Sequence, residues 1–206
     1  MSTRIEFEGA TNFRDLGGYR GAEGRVIRPG RVFRSDALYR LTPGDRTRVS
    51  DLGVRWVCDL RYPDERTREP SLLPDGVEIL PVGLTERPTV GAADALDVRG
   101  RTEANARAYL AENYRQYPHL YSGAYRTVLE TLLRDEGGVV FHCTAGKDRA
   151  GFTAVVVLKT LGVDDDTIRD DYLLTNQYWD RGDRAPEDWP KAVSYTHLTL
   201  PTMIGV

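Results

Sequence analysis

The chain has 206 residues, 40% of them hydrophobic and 29% charged, with a formal net charge of -3. That length supports a well-buried core, and the charge gives no overall attraction for nucleic acid or an anionic membrane, so any affinity for phosphate has to be local. All but three of the 28 basic residues are arginine, lysine occurring only at 147, 159 and 191, which makes a lysine inside a motif informative.

The opening "MSTRIEFEGATNFRDLGG" lacks the apolar region of a signal sequence, and no stretch approaches the roughly 18 apolar residues of a membrane span. The expectation is a cytoplasmic protein, with signal-less secretion left open. Two cysteines, Cys58 and Cys143, have no metal-type spacing, so neither a disulfide scaffold nor a metal or other cofactor is expected.

After the turn signals of "TNFRDLGGYRGAEG", the segment "RVIRPGRVFRS" alternates as a hairpin or pair of edge strands would, with Pro29-Gly30 as its turn. Thr42-Pro43 predicts a helix start and Gly53 its stop. "VRWVCDL" and "GVEILPV" read as buried strands, the first ending at Asp59 and Arg61. Residues 102–117 favour helix by propensity; "SGAYRTVLETLLRDEGG" predicts another, with Leu129, Leu132 and Leu133 on one side. "GVVFHC" is a third buried strand, "AGFTAVVVLKTLG" a helix packed inside the domain, and "DDDTIRDDYLLTN" a helix with an acidic N-terminus. Strands alternating with helices give an α/β class with a central, mostly parallel sheet flanked by helices. One domain is expected over residues 1–192. Residues 193–202, "VSYTHLTLPT", break in style from the chain before them and resemble a translated sequencing adapter, so 193–206 is expected to be a non-native tail and the natural chain to be cut near Ala192.

The chemistry concentrates in "VVFHCTAGKDRAG" (139–151), where a strand runs into a loop and then an apolar helix. Ligands collect beyond the carboxyl ends of strands in open α/β sheets, where Cys143 falls. Successive N–H groups of "TAGKDR" can curl around an anion, aided by the helix N-terminus. Gly146 allows close backbone approach, Arg149 can fork onto phosphate oxygens, and such an environment favours a cysteine acting as a nucleophile. Nucleophile, cradle and guanidinium together imply phosphoryl transfer to sulfur and then to water. A nucleotide-binding loop is excluded, because "GKD" lacks both the earlier glycine and the following hydroxyl.

"HCTAGKDRAG" resembles the His-Cys-x5-Arg signature of the protein tyrosine phosphatase superfamily, specifically its bacterial tyrosine-phosphatase B type with a lipid-phosphatase-like loop. "NFRDLGGY", "RSDAL", "CDLR" and "DYLLTN" are similar to family segments in the same order, over about residues 9–180. The resemblance implies a cysteine-phosphatase fold, nucleophile Cys143, and a phosphate cradle from the backbone of Thr144, Ala145, Gly146, Lys147, Asp148 and Arg149. For the general acid it implies Asp148, with Asp59 as the competitor; the Trp-Pro-Asp loop of many relatives is missing, and "DWP" at 188–190 runs in the wrong order. Arg61 is a candidate substrate contact, and Lys147 favours multiply phosphorylated substrates unless it faces solvent. The helix bearing Tyr109, Tyr114 and Tyr117 resembles a cover over the pocket. Arg14 and Asp15 brace the loop or simply make a turn. His142 is read as an orienting partner, and Cys58 as a buried strand residue or a resolving thiol.

Ala150 stands where the family usually has Ser or Thr, whose hydroxyl assists breakdown of the phosphocysteine; Thr144 and Thr153 are the candidate substitutes. Slow hydrolysis of the intermediate is therefore expected. The implied function is a protein-tyrosine phosphatase, extended to dual-specificity or phosphoinositide substrates. The alternatives are a pseudophosphatase that binds phosphorylated partners without turnover, and a sulfurtransferase, whose loop normally has a different spacing.

Overall fold

The computed structural model describes residues 3–83, 85 and 102–180. The "DWP" segment, Lys191, the 193–206 tail and the side chain of Tyr109 lie outside the described residues. Six strands, β1 (Thr3–Arg4), β2 (Arg14–Asp15), β3 (Val32–Ser35), β4 (Val54–Asp59), β5 (Glu78–Pro81) and β6 (Gly138–His142), form one sheet in the order β1-β2-β3-β6-β4-β5. The four strands β3, β6, β4 and β5 are parallel, and the β1 and β2 pairings are antiparallel. The sheet is thus mostly parallel, with both faces of its centre covered, as parallel sheets require.

Side-chain alternation sorts the two faces. Val32, Trp56, Cys58, Val139 and Phe141 enter one core with the helices α4 (Ser122–Leu133), α5 (Arg149–Thr160) and α6 (Asp165–Tyr178). Phe33, Val57 and Val140, one residue out of phase, enter a second core with Phe13 and with Val49 of α1 (Pro43–Asp51). Each fully buried apolar side chain of this kind contributes roughly 1.5–3 kcal/mol. Two further helices, α2 (Pro63–Arg68) and α3 (Glu103–Leu120), complete the described elements. No described helix is long and apolar enough to cross a membrane.

The predicted helix from Thr42 is present for the predicted reason. Thr42 Oγ1 accepts from Asp45 N (3.2 Å), Asp45 Oδ2 accepts from Thr42 N (3.0 Å), and Gly53 ends the helix at φ 65°. Asp164 likewise caps α6 through Thr167 N (2.9 Å). Three expectations fail. "GVEILPV", read as a buried strand, forms β5 at the edge of the sheet, where Glu78, Ile79 and Pro81 are exposed. Residues 25–35 form no hairpin: β3 lies between β2 and β6, and all four of its residues are buried, Arg34 among them. A strand read as half-solvated is an internal one because its arginine finds an acidic partner inside the protein. Leu133 is 82% exposed rather than packed beside Leu129 and Leu132.

Candidate active site

Strand β6 ends at His142, Cys143 follows as a buried residue, and the loop 144–148 leads into the first turn of α5 at Arg149. Gly146 sits at φ 67°, and a Cβ there would come within 2.6 Å of the Ser35 carbonyl oxygen and 2.7 Å of Asn12 Nδ2, so only glycine fits.

The carbonyls of the loop are held from behind, one after another. Cys143 O accepts from His142 Nδ1 (3.2 Å), Thr144 O from Ala37 N (3.1 Å) and Ala145 O from Asn12 Nδ2 (3.0 Å). Gly146 O accepts from Arg34 Nε (3.0 Å) and Nη2 (2.8 Å), and Lys147 O from the same Nη2 (3.3 Å). In a planar trans peptide the next residue's N–H points opposite to the carbonyl, so the N–H groups of residues 144–148 turn away from these donors. With the N-terminus of α5 beside them, they leave a set of N–H donors facing away from these partners, of a kind that suits an anion.

Arg149 lies over the Tyr62 ring, 4.9 Å from its centroid, and forks onto Glu65: Nη1 to Oε2 at 2.6 Å and Nη2 to Oε1 at 3.0 Å. Thr144 Oγ1 donates to the same carboxylate (2.6 Å), and Tyr62 N donates to Glu65 Oε2 (2.8 Å). Burial alone would raise the Glu65 pKa, but the bonds and charge of Arg149, with those of Thr144 and Tyr62, hold it at about 2. Glu65 therefore fixes the guanidinium as a carboxylate. Sequence reasoning missed it. The available signal was its place three residues after Tyr62 in "YPDE", where a helix's third residue reaches back to the cap.

The two candidate acids differ. Asp148, half-buried at the mouth of α5, accepts a hydrogen bond from Tyr114 Oη, which also lies 3.3 Å from Tyr172 Oη. Burial first, and then the Asp148 charge, push the Tyr114 phenol above its ordinary value, so it stays a donor. Asp59 is 1% exposed and chelated by Arg61 through Nε (3.0 Å) and Nη2 (2.7 Å), with His142 Nε2 at 3.5 Å. Burial would raise its pKa, but His142 and Arg61 outweigh this and hold it well below the usual carboxylate range. Such a group has no proton to give near neutral pH, which removes Asp59 as the acid. Arg61 is spent in the same way: its remaining donors go to Glu69 O (2.7 Å) and Ser71 Oγ (3.0 Å), so it braces the sheet end instead of facing a substrate.

Lys147 is only 8% exposed and is not a solvent-facing cation. Cys58 is buried within the core, and burial raises its thiol pKa to about 12, which suits a packing residue better than a resolving thiol. His119 is exposed, while Tyr121 is buried with its hydroxyl 3.1 Å from that of Tyr62. Ala150 is fully buried. Neither proposed substitute for its missing hydroxyl has a proton to spare, because Thr153 donates to Arg149 O (2.9 Å) and Thr144 to Glu65. Arg14 does more than turn the chain: it is fully buried and donates to Asp171 Oδ1 (3.1 Å), while Asp15 closes the turn by accepting from Gly17 N (2.7 Å) and Gly30 N (2.7 Å).

The chain is similar to several known proteins. A Cupriavidus necator protein bearing a tyrosine-protein phosphatase name is 36% identical over 180 residues, 84% of this chain and 63% of its own length. A Mycobacterium tuberculosis protein named triple specificity protein phosphatase PtpB is 36% identical over 197 residues, 83% of this chain and 68% of its own. A Nostoc commune tyrosine-protein phosphatase is 30% identical over 148 residues, 70% of this chain and 48% of its own length. The chain thus spans between about half and two thirds of the relatives it matches. The model of the tyrosine phosphatase family matches residues 5–201, nearly the whole sequence, and takes in the loop, its arginine and the segments that hold them. By that match and those relatives, the chain belongs to the tyrosine phosphatase family.

Proposed function

We propose that the protein hydrolyses phosphomonoesters, phosphotyrosine foremost, through a phosphocysteine intermediate. The observation that carries this reading is Cys143 at the base of a loop whose carbonyls all turn outward, beside an arginine aimed by Glu65. Cys143 Sγ attacks phosphorus, and the bond to the ester oxygen breaks. Arg149 and the loop amides hold the equatorial oxygens, where charge spreads in the transition state. Asp148 protonates the leaving oxygen. It then takes a proton from the water that attacks the phosphocysteine, which releases inorganic phosphate and restores the thiolate. Tyr114 holds the Asp148 carboxyl at that place.

The triple-specificity name of the Mycobacterium relative supports extending the substrates beyond phosphotyrosine, and a buried lysine inside the cradle supports phosphoinositides in particular. Ala150, with the neighbouring hydroxyls committed elsewhere, supports a slow second step; a protein that binds phosphorylated partners without turnover is the limit of that trend.

The test compares phosphate release from p-nitrophenyl phosphate, a phosphotyrosine peptide and phosphoinositides by the parent and by Cys143→Ser, without added metal. Activity in the parent, lost in the variant, supports the mechanism, and the ranking of substrates tests the role of Lys147. A parent that binds vanadate but releases no phosphate would favour the binding reading. Under rapid mixing, a burst of p-nitrophenol followed by slow turnover is expected; a rate limited by the first step would remove the slow-hydrolysis reading.

A further inference from the structure

Behind the loop, on the face away from any substrate, lies a charged cluster that the mechanism does not use. Arg34 and Arg14 are fully buried and share one carboxylate: Arg34 Nη1 to Asp171 Oδ2 at 3.0 Å, Arg14 Nε to Asp171 Oδ1 at 3.1 Å. Tyr19 Oη donates to Asp171 as well (3.2 Å), Thr175 Oγ1 accepts from Arg34 (3.1 Å) and Arg14 (3.3 Å), and Arg14 Nη1 donates to Asn12. Two buried cations against one carboxylate is a costly arrangement unless the remaining donors find acceptors. Those acceptors are the peptide carbonyls of Gly146 and Lys147, with Asn12 bonded to Ala145 O.

We propose that Arg34 and Asn12, anchored through Asp171 and Arg14, are positioning residues that orient the peptides of the loop so that its N–H groups converge on the anion. The inference rests on the phosphatase reading and deepens it. A loop of small residues has no rigidity of its own, and each peptide can turn over at little cost unless one of its ends is held. Arg34 holds two consecutive carbonyls with one planar guanidinium, so the two peptides cannot turn independently. Asn12 holds the peptide before them. The excess positive charge of the cluster adds to the potential felt by a dianion without touching it. Burial and the Arg14 charge, opposed by Asp171, lower the Arg34 pKa to about 10, which leaves it protonated at neutral pH. The place of Gly151 fits the same picture, since a Cβ there would strike Tyr172 at 2.6 Å and Arg34 Nη2 at 2.8 Å.

The experiment compares the parent, Arg34→Lys and Asn12→Asp. The lysine keeps the charge but loses the planar fork. The aspartate keeps the acceptor for Arg14 but loses the donor to Ala145 O. Vanadate affinity, KM and kcat for p-nitrophenyl phosphate, and the rate of Cys143 alkylation by neutral iodoacetamide are measured on each. Vanadate binding is expected to weaken about tenfold or more, the scale of one lost charge-assisted hydrogen bond, and KM to rise with it. The iodoacetamide rate, measured at a pH high enough that the thiol is fully ionised, should stay within about twofold, because a neutral reagent then reports access to the sulfur and not the field of the loop. A folded variant that binds vanadate as the parent does overturns the inference. So does a variant whose iodoacetamide rate falls in step with vanadate affinity, which would mean general damage to the site. If Arg34→Lys does not fold, Asn12→Asp decides alone. A parent that neither binds vanadate nor releases phosphate would overturn the phosphatase reading, and this inference with it.

Discussion

The two sides of the loop 144–148 are built on opposite plans. Its rear is dry and made of residues far apart in the chain: Arg34 reaches Gly146 across 112 positions and Asp171 across 137. Its front is half-buried at Arg149 and Asp148, each held by a buried partner, Glu65 and Tyr114. Rear groups are buried and held by one shared carboxylate and a set of carbonyl acceptors, whereas Arg149 and Asp148 at the front are partly exposed. A site can thus separate the task of shaping a cradle from that of moving protons, and substitutions on each side should report differently.

The largest contrast comes from Asp148→Asn set beside Asp171→Asn. The front change should lower turnover of aryl phosphates by about 10²–10⁴, the usual range for a general acid, with the melting temperature nearly unchanged. The rear change leaves two arginines uncompensated and should cost about 3–5 kcal/mol of stability in urea denaturation. An Asp148→Asn variant with full activity would return the acid to an unidentified group. Asp59→Asn tests the boundary between the two plans: because Asp59 neutralises Arg61, a loss of stability is expected, with the acid limb of the pH–rate profile unmoved.

Glu65→Gln should have a smaller effect, roughly a tenfold loss in kcat/KM, because the amide aims Arg149 with one acceptor where the carboxylate uses two. It also has a pH signature. With its pKa lowered from the ordinary 4.5 to about 2 in the folded protein, Glu65 stabilises the fold fully above about 4.5 and loses that contribution as pH falls toward about 2. Denaturation curves across that window should be flatter for Glu65→Gln than for the parent; an equal slope would place the pair in solvent. Smallest is Tyr114→Phe, which should change kcat by about two- to fivefold and shift the acid limb, the scale of one hydrogen bond to Asp148. No shift would leave the tyrosine a packing residue.

The same division explains what could be read from the sequence. Cys143, the loop and Arg149 could be read together because thiol, amides and cation lie on one continuous segment between a β-branched strand and an apolar helix, and the structure keeps them adjacent. The helix at Thr42 was legible because its cap is local. Arg34 was not: an arginine directly after Val32 and Phe33 looks solvated until Asp171, 137 positions further along the chain, is packed against it. Asp59 looked like an acid because it stands at a strand's carboxyl end, and only packing reveals that Arg61, two residues on, has taken its charge. Glu65 serves a cation 84 positions away, a pairing that no window of the sequence contains.

The shared carboxylate of Asp171 has a consequence in time. During synthesis Cys143 and its loop leave the ribosome before α6 does, so Arg14 and Arg34 wait without their counter-charge until residue 171 has emerged and docked. Any anion binding by the loop should therefore wait for α6, and a nascent chain stopped before that helix would carry Cys143 beside a loop whose peptides are not yet held.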